Sequence, residues 1–178
     1  MNVKPLKEFL QGKWLGHPLH PALVHLPTGA FPGALVLDLA SRAGDGSDAA
    51  VVGSFWCILV GLLAVLAAVP TGVADWMEIK KEKPAWKIGL IHAGLNVLIT
   101  LIFLINLLLR LDTWHDSRAV ESFPLSLSIV GNAVLVISGW LGGRMVFNWG
   151  ISVARQSKEK WRRIAEAGGA RLPEAKGD

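Results

Sequence analysis

Four apolar stretches, each long enough to cross a bilayer and joined by short charged connections, constrain this 178-residue chain more than any other feature. A span needs about 20 mainly apolar residues, because each adds about 1.5 Å along a helix. The stretches cover about residues 21–40, 50–74, 86–109 and 124–147. Hydrocarbon rejects charge and requires every backbone group to be bonded within the segment, so they read as transmembrane helices. Only 18% of the residues are charged, and nearly all of those lie between the stretches. Pro27 and Pro32 make the first span the least regular. Neighbouring helices and hydroxyls can satisfy the carbonyls they free, so a kink is expected there, not a break. That span is too long for a cleaved signal peptide, Pro and Gly interrupt it, and no A-x-A site follows.

The connections, residues 41–49, 75–85 and 110–123, are short, which makes consecutive helices antiparallel neighbours. The expected fold is therefore all-α: a four-helix transmembrane bundle, up-down-up-down, over residues 19–149. A cytoplasmic segment (1–18) precedes it and a basic cytoplasmic tail (150–178) follows. Orientation is read from Lys and Arg. Lys4, Lys7 and Lys13 precede the first span, and Lys80, Lys81, Lys83 and Lys87 lie around the second connection. Arg144, Arg155, Lys158, Lys160, Arg162, Arg163, Arg171 and Lys176 cluster at the C-terminal side. The other two loops hold only Arg42, Arg110 and Arg118, so fifteen of the 18 basic residues fall on the side that carries both termini. Trp14, Trp76, Trp86, Trp114 and Trp149 fall near span ends, at headgroup level. In the tail, residues 151–165 can form a helix with Ala154, Trp161, Ile164 and Ala165 on one face. Its basic opposite face suits either the anionic leaflet or water. Gly29-x-x-x-Gly33 and Gly139-x-x-x-Gly143 are small-residue pairs of the kind that let helices approach.

A pI near 9.5 does not point to nucleic acid, because the basic residues flank spans instead of forming a stripe on a soluble face. The single cysteine, Cys57, excludes an internal disulfide, a CxxCH haem attachment and a cysteine-ligated iron–sulfur cluster. No enzyme nucleophile is visible. Ser126, Ser128 and Ser138 read as span hydroxyls with no histidine at matching depth, and Asp38 lies at the far end of the first span. An electron-transfer or binding subunit fits these features better than an enzyme.

The five histidines carry the chemical signal. His115, beside Asp112 and Asp116 in an outer loop, reads as solvated surface. His17, His20 and His25 open the first span, where Pro18 and Pro21 suit the first helical turn. His25 then lies roughly 6 Å inside, and His92 roughly 9 Å inside the third span. Since both spans enter from the same side, the two imidazoles share a depth. His92, Asn96 and Thr100 recur every four residues on one face. Asp75 and Trp76 end the second span at this level, and Arg144 and Asn148 end the fourth, so all four helices bring polar groups to one end. Buried polar groups in a membrane turn towards partners or a cavity. Three readings are open. His25 and His92 can ligate one haem b iron, with Asn96 on the same stripe, Gly29 and Gly94 leaving room and Arg144 meeting a propionate. Alternatively, His17, His20, His25 and His92, with Asp75, can hold zinc or copper. In the third, no cofactor binds, and the histidines bond only backbone and headgroups in a bundle that anchors or scaffolds a partner.

The stretch GHPLHPALVHLPTGAFPGALVLDLA resembles the opening of a bacterial membrane-protein family known as domain of unknown function 2231. That family's HPxHPxxVHxP pattern, followed by an apolar run and an Asp, maps onto His17, Pro18, His20, Pro21, Val24, His25, Pro27 and Asp38. The similarity continues through Thr71-Gly72-x-x-Asp75-Trp76, His92-x-x-x-Asn96 and Gly142-Gly143, and covers most of residues 14–155. It implies a four-helix domain in the bacterial inner membrane. Some members look joined to Rieske-type iron–sulfur domains, which implies redox work with a quinone or a separate redox protein. Arg144, Asn148 and Trp149 depart from the family's fourth-span pattern.

Overall fold

The computed structural model describes residues 4–152 and 158–169, with side chains of the second stretch described from 163 onward. Seven α-helices follow one another: α1 (Lys4–Leu10), α2 (Leu19–Leu23), α3 (His25–Ser41), α4 (Asp48–Trp76), α5 (Pro84–Leu109), α6 (Ser122–Trp149) and α7 (Lys158–Ala167). A 3-10 turn, Lys13–Leu15, stands between α1 and α2. Four helical units, with α2 and α3 counted as one, are long and apolar enough to span a membrane. Each begins and ends a residue or two beyond the sequence-based bounds, because Ser47 and Pro84 place the starts of α4 and α5 outside the purely apolar run. The Ser47 hydroxyl accepts from the Ala50 N–H, and Pro84 occupies a first-turn position where its missing N–H costs nothing.

The first span departs from a simple kink. It breaks at Val24, three residues before Pro27, whose ring cannot donate to Leu23 and crowds that carbonyl. The Thr28 hydroxyl bridges the break by donating to the carbonyls of Val24 (2.7 Å) and His25 (3.1 Å). Pro32 and Pro70, by contrast, are carried inside α3 and α4 without ending them.

α3 packs on α4 and α5 on α6, and the ring closes through α3–α6 and α4–α5. The interior is apolar at mid-depth. Phe31 and Phe103 stack across the bundle diagonal with ring centroids 3.9 Å apart, enclosed by Ile58, Ile99 and Leu135. Close packing does not use the two small-residue pairs expected above. Gly29 and Gly139 face open space, whereas Gly61 and Gly131 lie flush against the Phe31 and Phe103 rings.

The tail helix begins later than the sequence suggested. Gly150, at φ 62°, ends α6 with its N–H on Val146 and the Ile151 N–H on Met145, so residues 151–152 turn instead of continuing a helix. Ala154, Arg155, Arg171 and Lys176, and the side chains of Lys158, Lys160, Trp161 and Arg162, lie outside the described residues.

Candidate functional site

At the end of the bundle where α2 begins, two imidazoles turn inward. His20 lies against α4, its Nδ1 3.0 Å from the Ala68 carbonyl and 3.4 Å from the Thr71 hydroxyl. His92 lies against α6, its Nδ1 2.9 Å from the Ser138 carbonyl and 3.0 Å from the Ser138 hydroxyl. A carbonyl can only accept, so both Nδ1 atoms carry the proton. The neutral ring then has its lone pair on Nε2. For His92, Nε2 is 3.2 Å from the Asn96 amide nitrogen, but the two protons of that amide have nearer acceptors, the His92 carbonyl and the Ser138 hydroxyl, both at 2.8 Å. For His20, Nε2 has no hydrogen-bond partner among the described residues. Glycines let both rings lie close: a Cβ on Gly72 would sit 2.7 Å from the His20 ring and one on Gly142 3.1 Å from the His92 ring. The two rings are near enough to sense each other's charge, and Asp75 senses His20. Asp75 also accepts from the Ser152 hydroxyl, which brings the turn after α6 over the same end.

The other candidates lie apart. His17 and His25 are exposed and bond within their own segments, Nδ1 to the Pro18 carbonyl (3.1 Å) and the Ala22 carbonyl (3.3 Å). The expected His25–His92 pair is therefore not what the fold turns inward; the break at Val24 rotates His25 out, and His20 takes the inner place. Among the described residues no three His, Cys, Asp or Glu side chains gather where they could hold a metal ion, so the set His17, His20, His25, His92 and Asp75 is not assembled. Arg144 is half-buried and lies over the Trp140 ring at 5.0 Å, and Asn148 is exposed.

Ser138 corrects the sequence reading directly: its hydroxyl touches His92 from α6. Counting inward from both helix ends finds the match. His92 lies eight residues from the start of α5 and Ser138 eleven from the end of α6, roughly 12 and 16 Å deep at 1.5 Å per residue.

A second polar constellation, missed in the sequence, fills the opposite end. Arg110, counted above as a loop charge, is 2% exposed and pairs with Asp38, 0% exposed, through two parallel bonds of 2.7 and 2.8 Å. Ser54 donates to one Asp38 oxygen and Ser128 to the other, the latter at 2.6 Å. Asn106 accepts from Arg110 Nε (2.8 Å) and donates to Ser128 (2.8 Å). Helices α3 to α6 each supply a member. The available signal was Asp38 itself, since a carboxylate inside an apolar run requires a cationic partner at its own depth.

A family model described as "Predicted membrane protein (DUF2231)" matches residues 16–155. No curated protein and no solved structure matches the chain.

Proposed function

The chain belongs to that family of predicted membrane proteins, and from this premise we propose that it is a small membrane-bound redox subunit holding one b-type haem between His20 and His92. One observation carries the reading. Two imidazoles from different spans meet at one end of the bundle, each with Nδ1–H committed to a backbone carbonyl and Nε2 left with its lone pair. Such outer bonds are what orient a ligating imidazole and raise its basicity. Haem iron takes axial ligands of this kind, and helical bundles supply them from facing helices. Asn96 and Ser138 hold the His92 ring in place. Arg144, at the same end of α6, is the cation available to a propionate. A bound haem would carry a single electron, exchanged with a quinol or with a separate redox protein.

Purified protein, supplemented with haem during expression, is expected to show a Soret band and a pyridine haemochrome of the b type. His20→Ala and His92→Ala should each abolish it, while His17→Ala and His25→Ala retain it. A wild-type spectrum without the band, or a band that survives in the His20→Ala/His92→Ala double variant, overturns the reading.

A further inference from the structure

We infer that the N-terminal segment, α1 with its 3-10 turn, is an interfacial anchor that lies in the headgroup layer of an anionic leaflet. The segment precedes the first span, yet it is not free. Lys7 pairs with Glu78 at 2.9 Å, just past the end of α4, and the Gln11 amide donates to the Ala74 carbonyl at 3.1 Å. These contacts fix one face of α1 on the bundle. The opposite face presents Leu6, Phe9, Trp14 and Leu15, which are 60, 57, 62 and 51% exposed. Phe9 and Trp14 stack at 5.6 Å, and the Trp14 indole donates to the Phe9 carbonyl, so the aromatic surface is pre-formed.

Two observations choose lipid as the occupant. The apolar face continues the lipid-facing surface of the first span, which starts only four residues after the 3-10 turn. A rim of cations accompanies it. Lys80, Lys81, Lys83 and Lys87 are exposed at this same end, and none has a carboxylate within ion-pair distance among the described residues. An amphipathic segment with apolar side chains down and lysines at the phosphate level is the pattern that anionic interfaces attract.

The test uses the full chain in a Cys57→Ala background, reconstituted into nanodiscs of phosphatidylcholine with or without phosphatidylglycerol. Spin labels are placed singly at Leu6→Cys, Phe9→Cys and Glu8→Cys. Labels at 6 and 9 are expected to be several-fold more accessible to oxygen, relative to an aqueous nickel chelate, than the label at 8. Phosphatidylglycerol should enlarge the contrast, and replacing the four lysines by glutamine should remove that enlargement. Independently, brominated lipid should quench wild-type fluorescence more than that of Trp14→Phe. Labels at 6 and 9 as water-accessible as the label at 8, or dipolar broadening showing that a second copy covers them, would overturn the inference.

Discussion

Asp38 and Arg110 stand 72 positions apart and bury an ion pair where hydrocarbon surrounds the bundle. Such a pair persists only when its geometry is good and its remaining lone pairs are satisfied, conditions that Ser54, Ser128 and Asn106 meet here. Removing one partner leaves a desolvated charge, so Asp38→Ala and Arg110→Ala should each cost about 3–5 kcal/mol. The double variant should cost clearly less than the sum of the two, because it leaves no orphan charge. Unfolding in detergent, analysed as a double-mutant cycle, measures the coupling; additive costs would show that the pair does not act as a unit. The pairing was only half legible in the sequence. Asp38 inside an apolar run announces the need for a cation, but Arg110 ends a span and looks like any loop arginine. The histidines pose a similar limit. His20 and His25 are five residues apart, about 140° around a continuous helix, so both cannot face inward. Which one does depends on the break at Val24, a property of local backbone rather than of spacing.

At the level of helices, glycine placement distinguishes packing surfaces from lipid surfaces. A Cβ on Gly61 would lie 2.5 Å from Phe31, a ring 1% exposed and stacked on Phe103, so it has nowhere to move. Gly61→Ala is expected to lose stability, since overpacking costs about 1–3 kcal/mol against a gain of about 1 kcal/mol in helix propensity. Gly29→Ala and Gly139→Ala meet open space and should be neutral or stabilising; equal thermal shifts in all three would contradict this packing. A different test addresses how α1 is held. The Lys7 ammonium, and with it the Gln11 amide, keeps the Glu78 carboxyl below its ordinary range. A group with a depressed value stabilises the docked state above its undocked value, about 4.3. That contribution is lost as pH falls through the docked value. Label mobility on α1 should therefore rise under acid and in high salt, and Glu78→Gln should be mobile at every pH. Span existence and type were plain from hydropathy, because the bilayer enforces length and apolarity locally. Neighbouring-helix contacts followed from short loops, but the diagonal Phe31–Phe103 stack did not, because nothing local specifies which aromatic reaches across.

Taken as a whole, the bundle is polarised. One end gathers His20, His92, Asp75 and a lysine rim. The other sequesters Arg110 in the ion pair and holds its two remaining basic groups, with Arg42 on the Val120 carbonyl (2.9 Å) and Arg118 near Asp48 (3.5 Å). Arg110 therefore contributes no free charge to an outer loop, and the asymmetry of mobile cations is steeper than a count along the sequence implies. Retention of cation-rich ends on the cytoplasmic side favours both termini inside. In a Cys57→Ala background, a membrane-impermeant maleimide should label His115→Cys in intact cells and Lys81→Cys only after permeabilisation. The reverse pattern would place the histidine end outside, and electrons reaching His20 and His92 would then have to come from the opposite face of the membrane.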